Sequence, residues 1–261
     1  MIGRRQLPAH FDAWNQRWGA PYGKRTRHLV RSQATRFRAP EVVGPFGFQP
    51  DNSVTRRFEY PWAYHAVPLR PGARAVEIGG SLAGLQFVLA HEGVKVINVD
   101  PGERAVHGWP VNNDSIARLN RAFNTDVELR NCYIEEAGLR ERSVDLVYSI
   151  STIEHIPLEF LPPILAEVNR ILVPGGRFVL TVDLFLDLEP FSYETVNITG
   201  RNVDVRWLVE TSGLELEQGD RAELYGYPDF DPMRIMGNLF SYEYGHYYPS
   251  LAQALVLVKP T

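Results

Sequence analysis

The stretch Ala75-Val76-Glu77-Ile78-Gly79-Gly80-Ser81-Leu82-Ala83-Gly84, followed by Asn98-Val99-Asp100, constrains this chain most. A short apolar run ends in an acid and a glycine turn. A helical pattern comes next, with Leu82, Leu85 and Leu89 at spacings of three and four, and Gly93 is placed to end it. Val94–Val99 then reads as a second strand closing on Asp100. Strand, glycine turn, helix and strand together build a nucleotide-binding crevice at the edge of a parallel sheet.

The same alternation continues to about residue 184. Arg74–Ile78, Val94–Val99, Asp126–Leu129, Val144–Ile150 and Arg177–Val182 read as strands. Between them, Ser81–Glu92 and Ser115–Phe123 read as helices. Leu161, Ile164, Leu165, Val168, Ile171 and Leu172 mark the apolar face of another helix, with Pro162 and Pro163 in its first turn. Pro174-Gly175-Gly176 reads as a turn into the fifth strand. Near-continuous apolar strands separated by helices predict an α/β fold with a sheet buried on both faces. Further on, Val203–Thr211 is expected as a helix, and Leu214–Glu217 and Leu251–Val258 as strands.

This organisation predicts an N-terminal cap or arm over 1–70 and a Rossmann-like domain over 71–261. Within that domain, 224–249 is a strongly aromatic insertion on the substrate side. Residues 1–38 set a run of Lys and Arg against one acid, Asp12. Such a run is either a solvated arm or a cap closing on a negatively charged substrate. The aromatics of the insertion, among them Tyr225, Tyr227, Phe230, Phe240, Tyr242, Tyr244, Tyr247 and Tyr248, form either a satellite core or the wall of a pocket.

Bulk properties narrow the function. A net charge of -4 gives no sign of a nucleic-acid or membrane partner. No apolar run is long enough to cross a bilayer, and none follows Arg4-Arg5 as a secretory signal would require. With Cys132 as the one cysteine, a reducing, cytoplasmic setting is expected. The oligomeric state stays open.

A dinucleotide fingerprint wants three glycines spaced G-x-G-x-x-G, and here those places hold Gly79, Ser81 and Gly84. Ser81 adds a side chain where the backbone should approach a pyrophosphate, and Glu77 would repel one. Both count against a nucleotide-dependent oxidoreductase. Asp100 lies 23 positions after Glu77, close to the spacing that sets an acid on ribose hydroxyls.

At this point the chain resembles the class I S-adenosylmethionine-dependent methyltransferases. The resemblance rests on Ala75–Gly80, on Ile97–Asp100, on Val144–Ile156 with its Ile153-Glu154-His155-Ile156, and on Glu167–Phe178 with Pro174-Gly175-Gly176. It implies a seven-stranded sheet whose last strand, Leu251–Val258, is antiparallel. It implies S-adenosyl-L-methionine as cofactor, with Glu77, Gly79, Gly80, Ser81 and Asp100 around its methionine and ribose ends, and with Ser149 in the fourth-strand segment. The acid often found after the third strand is missing, so Asn131 or the backbone near Tyr133 and Ile134 is expected to meet adenine. Tyr60, Trp62, Tyr64 or His65 is expected near the methionine end.

The reaction expected is methyl transfer to a small-molecule acceptor, with a hydroxyl oxygen favoured. An oxygen acceptor needs its proton removed. His155, just past the fourth strand, and His246, in the aromatic insertion, are the candidate bases. Asp183 and Asp187 without a clear third ligand read as capping or solvated acids, so no metal centre is expected. A protein that binds the cofactor and acts through a partner without turnover is the remaining alternative.

Overall fold

The computed structural model describes residues 1–24, 36–49, 53–105, 108–245 and 249–261. Seven strands form one sheet: β1 Arg74–Ile78, β2 Lys95–Val99, β3 Glu128–Arg130, β4 Val144–Ile150, β5 Leu172–Phe185, β6 Glu215–Gln218 and β7 Ser250–Val258. Their spatial order is β3-β2-β1-β4-β5-β7-β6. The first five run parallel, and β7 inserts antiparallel between β5 and β6. The order reverses at β1, so a crevice opens beyond the carboxyl ends of β1, β2 and β4.

Helices cover both faces. α1 Ala9–Trp18, the short α2 Pro40–Val43, α3 Arg56–His65, α4 Leu85–His91 and α5 Asn113–Phe123 lie on one side. On the other lie α6 Leu161–Ile171 and α7 Val205–Ser212; α8 Pro232–Gly237 belongs to a satellite cluster. Strand side chains alternate between the two cores. Ala75, Leu146, Tyr148 and Ile150 enter the first, and Val76, Ile78, Val147 and Phe178 the second. No helix among the described residues is long and apolar enough to cross a membrane.

The bounds of β1 and β4 match the expectation to the residue, β2, β3, β6, β7, α5 and α7 lie within two residues of it, and two elements differ by more. α4 starts at Leu85 instead of Ser81, because Ser81 has a left-handed backbone, φ 42°, which no helix accommodates. The side-chain amide of buried Gln86 replaces the lost turn, donating to the carbonyls of Ser81 and Ala83 at 3.1 and 2.9 Å. Secondly, β5 runs through Pro174-Gly175-Gly176 and begins at Leu172. An irregularity against β4, between Val144 and Leu146, absorbs the glycines without ending the strand.

The described residues of 1–70 pack into the main fold. Phe11, Trp14, Phe46, Phe48, Phe58, Tyr60 and Trp62 join the core that covers β1, β2 and β4. Ile2 forms an antiparallel bridge with Gln253 of β7, and its N–H donates to the Glu223 carboxylate at 2.7 Å. In the aromatic insertion, Tyr225, Phe230 and Tyr242 pack with Ile2, Leu184, Ile235 and Leu251 in the satellite core. Phe240 and Tyr244 are exposed, and Tyr247 and Tyr248 lie outside the described residues.

Candidate active site

The glycine turn is held from beneath. Asn98, on β2, donates from its amide to the Ser81 carbonyl at 2.9 Å and to Gln86 Oε1 at 3.0 Å. Gly79 takes φ 69°, and a Cβ there would lie 2.5 Å from Thr152 Cγ2. A Cβ on Gly80 would meet Asn98 Oδ1 at 2.8 Å and Glu77 Cδ at 3.0 Å. Both positions therefore require glycine for close packing, and Gly79 also for its left-handed backbone. Phe46 presses on the turn from the other side, within 2.6 Å of a Cβ built on Gly84.

Asp100 organises the turn. Its two carboxylate oxygens accept the N–H groups of Ser81 and Gly102, each at 2.7 Å. Burial pushes its carboxyl up, and those two N–H groups hold it partly back. Each oxygen keeps a lone pair that a ribose hydroxyl can use. Asn131 donates to the Asp100 carbonyl at 2.8 Å and so ties the ends of β2 and β3 together.

Glu77 is completely buried on the same side. Its Oε2 has no hydrogen-bond partner, and neither has Asn98 Oδ1. Burial first, and then the Asp100 charge, push its carboxyl up to about 8. A buried acid in that state favours a cationic neighbour. Among the aromatics of α3, Tyr60 is the one beside it: the Glu77 charge, after burial, raises the Tyr60 phenol. Tyr64 and His65 instead pack with Trp14 and Phe11 of α1, and Trp62 with Phe58.

The structure does not gather every expected residue. Ser149 is buried on β4, but strand alternation puts it on the face opposite Tyr148 and Glu77, and its Oγ has no partner. The Tyr133 phenol donates to the Arg104 carbonyl at 2.9 Å, with the Arg104 guanidinium 5.0 Å from its ring. The Tyr133 N–H donates to Glu136. The Ile134 side chain enters the second core. His246 lies outside the described residues.

A second polar group sits at the carboxyl ends of β4 and β5. His155 is half-buried; its Nδ1 lies against the Thr199 carbonyl, and its Nε2 is 3.9 Å from Glu154 Oε1. Glu154 and Asp183 are fully buried. Burial pushes their carboxyls up to about 7 and about 8, each opposed by the charge of Arg56. Arg56 and Glu59, from α3, pair with each other. Arg56 also donates to Ser151 Oγ at 2.6 Å. Ser151 Oγ lies 3.0 Å from both Glu59 Oε1 and Asp183 Oδ1, and Thr181 donates to Glu59 at 2.6 Å. Asp183 is thus no solvated acid. Asp187 is: exposed, it accepts from the Asn197 amide at 3.2 Å. Arg56, Glu59, Ser151 and Thr181 gave no local signal of this network.

Comparisons with known proteins bear on the first of these groups. Residues 76–180 match the sequence model of the family described as "Methyltransferase domain". A dimethylglycine N-methyltransferase from Parasynechococcus marenigrum (strain WH8102) is 30% identical over 124 residues, covering 47% of this chain and 41% of that protein. The chain thus spans about two fifths of the curated relative it matches. The crystal structure of an S-adenosylmethionine-dependent methyltransferase from Mesorhizobium loti superposes with a TM-score of 0.53 at 16% identity, covering 77% of this chain and 97% of that one. That of the [4+2]-cyclase SpnF gives 0.55 at 13%, covering 88% and 94%. Such distant likenesses establish the fold alone.

The buried, unpartnered Glu77 oxygen and the lone pairs left on Asp100 fit a ligand that carries both a cationic centre and a ribose, as S-adenosylmethionine does. Residues 76–180 thus match the methyltransferase-domain family model, within a strand order and glycine turn that give the chain the Rossmann-like fold of S-adenosylmethionine-dependent methyltransferases.

Proposed function

We propose that this protein transfers a methyl group from S-adenosylmethionine to a small-molecule acceptor, with a hydroxyl oxygen as the attacking atom. The observation that carries the reading is the pair of acids flanking one glycine turn: Glu77 buried with an unpartnered oxygen, Asp100 locked by two backbone N–H groups. When bound, the cofactor supplies a methyl group on a sulfonium that departs as a neutral thioether. The chain's own work is then to position the acceptor, exclude water and remove a proton.

In this reading Asp100 accepts from the ribose hydroxyls, and Glu77 faces the cationic end. Gly79 and Gly80 let the backbone come close. Tyr60 and Phe46 keep water from the turn. His155 is the base within reach of β4. Its Nδ1–H donates to the Thr199 carbonyl, which leaves Nε2 as the nitrogen that takes a proton. Glu154, 3.9 Å from that nitrogen, stabilises the imidazolium that results. His246 is the second candidate base.

An amine acceptor is the alternative reading. The buried carboxylates Glu154 and Asp183 suit a cationic group, and the curated relative is named for N-methylation. One experiment separates the readings. S-adenosylhomocysteine formation is followed against a panel of phenols, hydroxy acids and secondary amines, with mass spectrometry of the product. Turnover confined to amines overturns the oxygen assignment. Tight cofactor binding with no turnover on any acceptor favours a binding protein, and a spectral change with NADH and a carbonyl substrate favours an oxidoreductase.

A further inference from the structure

We propose that Glu154, His155 and Asp183 bind one divalent first-row metal ion through nitrogen and oxygen ligands. Glu154 and His155 occupy the short turn Ile153–His155 directly after β4, and Asp183 is on the neighbouring β5. One ligand atom from each lies within 4.8 Å of the other two. Three ligands bonded at about 2.0–2.2 Å to one ion lie about 3.3–3.8 Å apart, so the side chains must draw together by up to about 1 Å to close the site.

Three features set this group apart from an ordinary acidic cluster. Both Glu154 oxygens and Asp183 Oδ2 are buried with no well-formed hydrogen bond; the backbone N–H groups of Glu154 and Asp183 offset the Glu154 carboxyl only in part. A buried carboxylate so weakly partnered is costly, and a cation removes that cost. Charge is also out of balance. Glu59, Glu154 and Asp183 share the guanidinium of Arg56, and Ser151, with one hydroxyl proton, can donate to Glu59 or to Asp183 but not to both. Finally, His155 is oriented as metal-bound imidazoles are: one ring nitrogen lies on a backbone carbonyl, the other faces the carboxylates. Its partial exposure gives the ion a way in.

Two carboxylates with one imidazole suit Mn²⁺ or Zn²⁺ better than Mg²⁺ or Ca²⁺, which prefer oxygen alone. Three protein ligands leave positions open for oxygen donors. With Nε2 on a metal, His155 no longer accepts a proton there, so a filled site and His155 as base exclude each other.

The test is a Mn²⁺ titration of the full chain, with free Mn²⁺ read by electron paramagnetic resonance. We expect one ion per chain. Asp183→Asn and Glu154→Gln should each weaken binding by about 30-fold or more, and Glu167→Gln, a helix-surface acid paired with Arg170, should not. Mn²⁺ should raise the melting temperature of the native chain and of Glu167→Gln, not that of Asp183→Asn. If Asp183→Asn does not fold, Glu154→Gln and His155→Ala carry the same comparison. Zn²⁺ should displace Mn²⁺ and Mg²⁺ should not. Native binding weaker than about 1 mM, equal binding by all variants, or preference for Mg²⁺ overturns the proposal. None of these readouts depends on methyl transfer.

Discussion

Replacing Glu77 by Gln should stabilise the ligand-free protein at high pH and weaken its hold on the cofactor. The carboxyl is fully buried beside Asp100 and raised to about 8, whereas in the unfolded chain it titrates near 4.5. Between those values the folded state holds a proton that the unfolded state has released. Stability therefore falls as pH rises through that window. At 1.36 kcal/mol per tenfold change in proton affinity, the full displacement corresponds to about 4–5 kcal/mol, and relaxation around the buried charge reduces this to about 2–4 kcal/mol. Gln keeps the shape and cannot ionise. Urea unfolding of both proteins at several values from pH 5 to pH 9 should show the native curve dropping away from that of the variant by this amount. The cofactor reads the same group with the opposite sign. A cationic ligand requires the carboxylate, so native affinity should rise toward pH 8 with release of about one proton, visible by calorimetry in two buffers. The variant should bind more weakly and without that slope. Parallel unfolding curves, or a cofactor affinity equally pH-dependent in both proteins, would refute the assignment of Glu77.

Asp100→Asn should weaken S-adenosylmethionine binding by about 1.5–3 kcal/mol, the scale of a hydrogen bond to a charged group, and unchanged affinity by calorimetry counts against the ribose assignment. His155→Ala should slow single-turnover methyl transfer by about 10²–10⁴-fold if His155 is the base, with His246→Ala left fast; the reverse result transfers the role. Phe46→Ala removes a fully buried ring packed on Gly84, Trp14 and Tyr60, and should lower unfolding stability by about 3–5 kcal/mol; a loss under 1 kcal/mol would mean that the ring is not part of the core.

How much of this could be read beforehand depended on whether a signal was local. β1 and β4 are short apolar runs interrupted only at Arg74, Glu77, Asp145 and Ser149, and their limits were legible to the residue. Glu77 and Asp100 were legible because strand, turn and strand keep fixed spacing in sequence. The start of α4 was not, since Leu82 carries a helical pattern that the left-handed Ser81 overrides. Strand parity alone would have set Ser149 on the face away from Glu77. The charged cluster was out of reach of any local pattern. Asp183 looks like a strand-end cap until Glu59, 122 positions before Thr181, is found bonded beside it.

Those long connections also limit how the chain can be cut. Contacts that join distant positions form late and make folding slow. Glu59 and Arg56 meet Ser151 across 92 and 95 positions, so the cluster cannot assemble until β4 and β5 have been made. A fragment trimmed to the matched span of 76–180 would lose β7, α3 and Asp183 together. One beginning at residue 71 would keep every strand yet leave Glu154 and Asp183 without the Arg56 guanidinium that offsets them. The matched span is thus not the unit in which this buried cluster is complete, because Arg56 and Glu59 reach it from α3, outside that span.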